Sequence, residues 1–171
     1  MRFLKNIFSK LHSFVLWLLI SAVFWGWIFT IVTDTTADKK VTVYCMVPAL
    51  EDTALSVALE ERMPEGLSAV RVHTFDYVMF NTEEFYKADI FILPASEIET
   101  YEELFAGVEG EWGVKVYDAA AGTGVAVEYI QYPKEDCYLF LGADSIHLED
   151  GKALEVAKEL LAMNDIQEAL G

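Results

Sequence analysis

The stretch Ala88–Leu93 reads ADIFIL, and an extended strand formed by these residues is apolar on both faces. A strand of that kind is typical of the centre of a parallel sheet that helices cover on both sides. The residues NTEE at 81–84 have the spacing of a capping box, which predicts that a short helix begins just before this strand. The stretch therefore indicates an α/β fold.

Two further strands are predicted upstream of this central one. The residues VTVYCMV at Val41–Val47 are β-branched and apolar, and Pro48 ends the run. The residues AVRVHTF at Ala69–Phe75 alternate between apolar and polar side chains. Between these strands, apolar residues recur at the spacing of a helix at Leu55, Ala58, Leu59 and Met63. This half of the domain thus predicts the order β-α-β-α-β.

The downstream half predicts a change of pattern. The residues SEIE at 96–99 form a second capping box and open a helix. Strands are predicted at Val114–Asp118, Val125–Ile130 and Cys137–Leu141, and the longest amphipathic helix at Ala153–Leu161. The whole order predicts a three-layer α/β/α domain with a mostly parallel mixed sheet, in which the late strands are antiparallel.

A different kind of segment precedes this domain. Phe14–Val32 contains 19 residues without a charge, and a helix of that length spans roughly 28 Å, about the thickness of a bilayer core. Basic residues precede the segment and acidic residues follow it, so the positive-inside rule predicts a cytoplasmic N-terminus. A cleaved signal peptide is the alternative, and the length of the apolar stretch favours an uncleaved anchor.

This orientation predicts a single-pass protein of the cell membrane with four parts. They are a basic cytoplasmic N-terminus (1–13), a transmembrane signal-anchor helix (14–32), a tether (33–40) and an extracytoplasmic α/β domain (41–171). The first 33 residues hold three of the 12 basic residues and none of the 28 acidic ones, so the remainder has a net charge of −19. Because such an acidic surface repels phosphate backbones, nucleic-acid binding is not expected.

The cysteines and histidines indicate no cofactor or metal site. Cys45 and Cys137 lie in predicted strands, where an extracytoplasmic disulfide and two buried thiols both fit the pattern. His12, His73 and His147 stand alone, and no spacing of histidine and cysteine residues resembles that of metal ligands.

Several of these stretches resemble one lobe of the type 2 periplasmic, or extracellular solute-binding, protein fold. KKVTVY at Lys39–Tyr44 is similar to the first strand of that family, and ADIFIL at Ala88–Leu93 is similar to its third. YLFLGADS at Tyr138–Ser145, followed by the helix at Ala153–Leu161, is similar to its return strand and the next helix. The likeness covers residues 39–163 and implies the fold of one lobe.

The chain departs from this family in one respect. Full members have two lobes that close over a ligand, whereas here about 20 residues, 119–138, occupy the place where the second lobe would be inserted. The resemblance therefore implies a single-lobe domain, without capture of a ligand between two lobes.

Ligands in open α/β sheets bind outside the carboxyl ends of the strands. The residues that this rule selects are Tyr44, Met46, Asp76, Tyr77, Ser96, Glu97, Tyr117, Asp118 and Thr123. Helix N-termini at this edge favour anions, but acidic residues such as Glu51 and Glu97 already occupy them, so a cationic or neutral polar ligand is expected. The alternative is that these residues serve only as helix caps.

No catalytic motif accompanies these candidates. Asp144, Ser145 and His147 invite comparison with a catalytic set, but no nucleophile elbow or oxyanion loop surrounds them, so a solvated strand end is predicted. The residues GTG at 122–124 lack the further glycines of a nucleotide-binding loop and predict a turn. We therefore expect a protein that is not an enzyme.

Two functions agree with the sequence. The first is a membrane-anchored extracytoplasmic domain, similar to one lobe of a solute-binding protein, that senses or presents a small solute. The second is a non-catalytic interaction module that docks on a membrane transporter or envelope partner. A concave, aromatic-lined strand end favours the first function, and a flat apolar patch favours the second. In both, Phe14–Val32 contacts the lipid bilayer.

Overall fold

The computed structural model describes residues 2–33, 36–75, 82–105 and 113–163. Contacts separate the chain into two units, Met1–Thr35 and Thr36–Gly171. The first unit contains one α-helix of 32 residues, α1 (Arg2–Thr33). In the part of the chain that the structure describes, no helix combines the length and the apolarity that a membrane crossing requires.

The second unit contains a six-stranded sheet and a separate pair of short strands. In chain order, its elements are β1 (Lys40–Cys45), β2 (Ala49–Leu50), α2 (Asp52–Glu60), β3 (Ala69–Thr74), α3 (Glu83–Tyr86), β4 (Ile90–Pro94), β5 (Val114–Asp118), β6 (Thr123–Gly124), β7 (Ile130–Gln131), β8 (Cys137–Leu141) and α4 (Lys152–Ala162). Short 3-10 helices lie at Ala37–Lys39, Ala95–Glu97 and Glu99–Leu104. The strand order in the large sheet is β3-β1-β4-β8-β5-β6, and β2 pairs with β7.

The α/β class is confirmed, but the sheet is more evenly mixed than the sequence predicts. β1 is parallel to β3 and β4, whereas β8 is antiparallel to β4 and β5, and β6 is antiparallel to β5. The prediction that the late strands are antiparallel is therefore confirmed, and the prediction of a mostly parallel sheet is wrong for the described strands. A parallel neighbour needs a crossover of a dozen or more residues, usually a helix, and residues 119–136 form turns and two short strands instead.

Strand β4 shows how the sheet is covered on both faces. Ile90 and Ile92 belong to a cluster that includes apolar residues of α2 and α4. Phe91 and Leu93 belong to a second cluster, which includes Phe85 of α3. Because successive side chains of a strand point to opposite faces, the two clusters lie on opposite sides of the sheet. The prediction that ADIFIL is a central strand buried on both faces is confirmed.

The strand predicted at Val125–Ile130 is wrong, because residues 125–129 form consecutive turns between β6 and β7. The amides of Tyr129 and Ile130 both donate to the carbonyl of Ala126, which has a φ of 50°. Residues other than glycine rarely adopt that conformation. Tyr132 holds the turn, since its hydroxyl donates to the Val125 carbonyl at 2.9 Å.

The helix predicted to open at residues 96–99 is also absent, and two 3-10 segments occupy its place in the described chain. Ser96 does not cap a helix, because its amide and hydroxyl both donate to the carboxylate of Glu135, at 3.0 and 3.1 Å. Tyr101 is buried and has a non-helical backbone conformation. Tertiary contacts therefore override the local helical tendency here.

Cys45 and Cys137 are buried free thiols. Burial raises the pKa of each thiol to about 12. Because the thiolate is the reactive form of cysteine, neither side chain is a nucleophile at neutral pH. The sequence leaves open a disulfide or two buried thiols, and the structure contains the two buried thiols.

Candidate functional site

The carboxyl ends of β1, β4 and β5 lie along one edge of the sheet. Pro94 at the end of β4 and Tyr117 near the end of β5 both pair with Cys137 of β8. Since β8 is antiparallel to both strands, β4 and β5 run in the same direction. β1 is parallel to β4 and ends with Cys45 opposite Ile92. This carboxyl edge is the place where open α/β sheets bind ligands.

One part of the carboxyl edge is held together by an ion pair network. Lys115 lies between Asp118 and Asp136, with Nζ–Oδ2 distances of 3.4 and 2.6 Å. The carboxylate of Asp118 also accepts hydrogen bonds from the amides of Ala120 and Ala121. These bonds, the one from Ala121 most of all, lower the pKa of Asp118. Asp118 therefore shapes the turn after β5 and is already neutralised by the protein.

Beside this network lies an open cleft of about 460 Å³. Residues 49–51, which follow β1, form one wall, and Tyr117, Gly122 and residues 127–132 form the rest. We call it the tyrosine cleft, because Tyr117, Tyr129 and Tyr132 all line it. Its volume lies within the range of about 300–1,000 Å³ that is common for small-molecule sites.

Backbone hydrogen bonds bring the two walls of the cleft together. β2 and β7 pair through Ala49 with Gln131 and through Leu50 with Ile130. The amide of Glu51 then donates to the carbonyl of Tyr129 at 2.9 Å. This small sheet joins the segment after β1 to the segment before β8, and without it the tyrosines would have no facing wall.

The tyrosine rings are held in defined positions. Tyr117 and Tyr132 stack with their ring centroids 4.5 Å apart and their planes 5° from parallel. Burial raises the pKa of the Tyr132 hydroxyl, which is bonded to Val125. Desolvation and a hydrogen bond with Glu128 raise the pKa of Tyr129. Both groups are therefore neutral phenols at pH 7, and their rings can face a ligand without carrying a charge.

The charge of the cleft is negative. Apart from the tyrosines, its ionisable residues are Glu51 and Glu128. A neighbouring cleft along α2 shares Glu51 and Tyr129 and adds Asp52 and Glu61. Among the described residues, no lysine or arginine lines either cleft or forms an ion pair with these acidic groups. Clefts lined by charges of one sign concentrate counter-ions.

Most of the predicted ligand residues lie away from this cleft. Tyr44 is 2% exposed, and Tyr44 and Met46 both belong to the aromatic cluster on the α3 side of the sheet. Thr123 pairs with Asp118 in the β5–β6 hairpin, and Glu97 lies in a 3-10 helix. Asp76 and Tyr77 lie outside the described residues. Among the predicted residues that the structure describes, Tyr117 alone lines the cleft.

Tyr44 contributes instead to a second cavity of about 400 Å³, between β1 and α3. Its charged residues are of both signs and include Lys87, Glu83 and Asp89. Lys87 and Glu83 form an ion pair with each other. Since part of its charge is neutralised by the protein itself, this cavity is a weaker candidate than the tyrosine cleft.

Sequence reasoning missed four of the residues that give the tyrosine cleft its character. Glu51, Glu128, Tyr129 and Tyr132 were assigned to a helix cap, a strand or a connecting segment. The signal that points to them is the run EYIQY at 128–132, in which an acidic residue and two tyrosines lie close together. That run indicates a site only when the segment is a turn, and the apolar residues Val125 and Val127 favour a strand instead.

The prediction that residues 144–147 form a solvated strand end also needs correction. Ser145 is 8% exposed and His147 is 1% exposed, and both belong to a buried polar network with Asp89, which is 3% exposed. The Asp89 carboxylate accepts hydrogen bonds from the Ser145 hydroxyl and from the Thr42 amide, the latter at 2.7 Å. The amide of His147 donates to the Ser145 hydroxyl oxygen at 3.0 Å. The prediction that this segment is solvated is therefore wrong for Ser145 and His147.

This network does not have the geometry of a nucleophile and its base. The imidazole nitrogens of His147 lie 3.2 Å from Asp150 Oδ2 and 3.2 Å from the carbonyl oxygen of Ala37, away from the Ser145 hydroxyl. The Ser145 hydroxyl instead donates a hydrogen bond to the Asp89 carboxylate. The contact with Ala37 fastens the residues that lead into β1 to the loop before α4.

Comparison of the chain with family models, curated proteins and solved structures gives no match. The functional argument therefore depends on the geometry of the carboxyl edge. Its components are a concave surface, three tyrosines with two rings stacked, and carboxylates without a basic partner among the described residues.

Proposed function

We propose that the chain is a membrane-anchored extracytoplasmic domain, related in fold to one lobe of a solute-binding protein, that senses or presents a small solute. The observation that supports this proposal best is the tyrosine cleft at the carboxyl edge of the sheet. It combines the location that the fold favours with the volume and aromatic lining that small-molecule sites have. A single lobe covers one side of a solute, so moderate affinity and rapid exchange are expected.

The location is proposed from the sequence of the N-terminal unit. Phe14–Val32 is free of charged residues, and three basic residues precede it. Side chains along α1 such as Trp17, Trp25 and Trp27 are exposed, and a continuous apolar surface of this kind is stable when lipid or protein covers it. In this proposal residues 1–13 are cytoplasmic and the α/β domain lies outside the membrane.

We propose a binding role rather than a catalytic one. The buried Ser145 and His147 do not form a nucleophile–base pair, since the ring of His147 contacts Asp150 and Ala37. The two thiols have a raised pKa and are buried. The polar side chains of the tyrosine cleft are carboxylates, phenols and the amide of Gln131, which suit the recognition of a solute.

The experiment that tests the proposal is a thermal unfolding screen of the full chain in detergent micelles. The panel contains amino acids, sugars, polyamines and quaternary amines. A solute at about 100 times its Kd adds roughly 2.7 kcal/mol of stability, which corresponds to several degrees in Tm. Tyr129→Leu should reduce the shift to about half, because binding that is about tenfold weaker leaves the solute at about 10 times its Kd. Tyr86 is an exposed tyrosine on α3, and Tyr86→Leu should leave the shift intact. A folded chain that responds to no member of the panel contradicts the proposal.

One observation favours the second candidate, an interaction module that docks on a transporter or envelope partner. Val57 on α2 is 51% exposed and Val127 is 42% exposed, and each lines one of the two neighbouring clefts. Exposed apolar residues at the rim of a concave surface are common where proteins bind one another. A photo-crosslinker at position 57 that gives one discrete adduct in native membranes, together with no response to solutes, would support this function.

A further inference from the structure

We infer that the tyrosine cleft selects an organic cation, a solute whose binding group is a quaternary ammonium or an alkylammonium ion. The inference rests on the proposed function, because it names the class of solute that the same cleft takes. Three features of the cleft support it. They are its aromatic rings, the sign of its charges, and the absence of a basic ion-pair partner for its carboxylates among the described residues.

The aromatic rings supply the first part of the argument. Tyr117, Tyr129 and Tyr132 line one cleft, and two of them are fixed by stacking at 4.5 Å. The face of a tyrosine ring carries partial negative charge and attracts a cation that lies within about 6 Å of its centre. A group of aromatic rings around a cavity is the arrangement that recognises quaternary ammonium ligands.

The sign of the charges excludes the other classes of ionic solute. Every described ionisable side chain of the cleft other than tyrosine is an acid, and the whole chain carries a formal net charge of −16. An anion would meet Glu51 and Glu128, and none of the described residues that line the cleft is basic. A sugar needs several donors and acceptors at fixed positions, and Gln131 is the single side-chain amide in the described lining.

The carboxylates of the cleft differ from the others at the carboxyl edge. Asp118 and Asp136 share Lys115, and their pKa values are lowered by the hydrogen bonds that they accept. Glu51 and Glu128 have no such basic partner among the described residues. Arg62 is close enough to lower the pKa of Tyr129, but it forms no ion pair with either glutamate. A cationic solute can therefore form the ion pair that the described residues do not supply, and this favours a cation over a neutral molecule of the same shape.

The test compares choline with 3,3-dimethylbutan-1-ol, which has the same shape and no charge. Isothermal titration calorimetry on the full chain in detergent micelles measures both. We expect choline to bind at least about tenfold more tightly than the neutral alcohol, and the difference to shrink as salt is raised. Spermidine is the second probe, since it represents the alkylammonium ions.

Variants locate the binding and separate its causes. Tyr129→Phe keeps the ring and should retain most of the affinity for choline, whereas Tyr129→Leu should weaken binding by about tenfold. Glu128→Gln should weaken the binding of choline severalfold and leave the affinity for the neutral alcohol unchanged. Glu155→Gln on α4 is the matched control for this variant. Equal affinity of choline and the neutral alcohol, or equal binding by the leucine and phenylalanine variants, would overturn the inference.

The remaining outcomes distinguish the inference from the proposed function. If neither choline nor spermidine binds, but a neutral solute binds and Tyr129→Leu weakens its binding, the cleft is a solute site and the inference about charge is wrong. If no solute of any class binds to the folded chain, both the inference and the proposed function fail.

Discussion

The polar network around Asp89 and the tyrosine cleft both contain carboxylates, but these carboxylates differ in burial and in their charged partners. In the network, Asp89, Ser145 and His147 are almost fully buried, and each has its partners inside the protein. In the cleft, Glu51 and Glu128 are exposed and have no basic partner among the described residues. The first arrangement serves the fold, and the second is available to a ligand.

The comparison shows that the type of residue does not by itself indicate a functional site. The Asp144–His147 segment looks more like an active site in the sequence than residues 127–132 do. A buried polar group that is fully satisfied is costly to disturb and stabilises one conformation. A polar group that faces a concave surface can exchange its water for a ligand. What separates the two regions is whether the protein already supplies the partners.

The largest expected effect comes from Asp89→Ala. The substitution leaves the Thr42 amide and the Ser145 hydroxyl without their buried acceptor, which costs roughly 2–5 kcal/mol of unfolding free energy. Urea unfolding of the full chain, followed by circular dichroism, measures it. Asp144→Ala is the control, because it removes an exposed carboxylate next to Ser145 and should change stability by less than about 0.5 kcal/mol. Equal effects of the two variants would mean that the network does not serve the fold.

A smaller effect is expected from Tyr132→Phe. This variant keeps the stack on Tyr117 but loses the hydrogen bond to the Val125 carbonyl, at a cost of about 1 kcal/mol. Because that bond holds the turn at 125–129, hydrogen exchange there should become faster while exchange in β4 is unchanged. Tyr138→Phe is the control, because the hydroxyl of Tyr138 has no such hydrogen bond among the described residues. Unchanged exchange at residues 125–129 would show that the wall of the cleft does not depend on this bond.

The smallest effect concerns pH. Hydrogen bonds with Lys152, and then with His147, lower the pKa of Asp150 from 3.8 to about 2. A carboxyl whose pKa is lower in the folded state stabilises the protein above its ordinary pKa, and this stabilisation is lost as the pH falls from about 4 to about 2. Asp150→Asn should therefore flatten the fall in Tm over that interval. Burial raises the pKa of Asp89, so its contribution has the opposite sign, and Asp150→Asn leaves that contribution in place.

The measured curve distinguishes these two carboxyls. If the difference in Tm between the original chain and Asp150→Asn is constant from pH 5 to pH 2, the bonds of Asp150 to Lys152 and His147 do not contribute to stability. If the difference narrows as the pH falls, the contribution is the one that the structure indicates.

Several of the elements that the sequence predicted correctly can be recognised from their own residues alone. ADIFIL, VTVYCMV and CYLFL are short apolar runs that are buried on both faces, and α4 has a clear apolar stripe. Their burial follows from the periodicity of their own residues, so a local pattern is enough to identify them. The errors fall at residues 96–104 and 125–130, where the local pattern favours one structure and distant partners impose another.

The sequence by itself determined the α/β class, the central strand, the flanking helices and the acidic charge, because each of these depends on composition or on neighbours along the chain. Tertiary structure alone decided the order of the strands in the sheet, the burial of Ser145 and His147, and the tyrosine cleft. Ser96 meets Glu135 across 39 positions, and Ser145 meets Asp89 across 56. The free energy of such contacts depends on which segments the fold brings together, and no local pattern of residues carries that information.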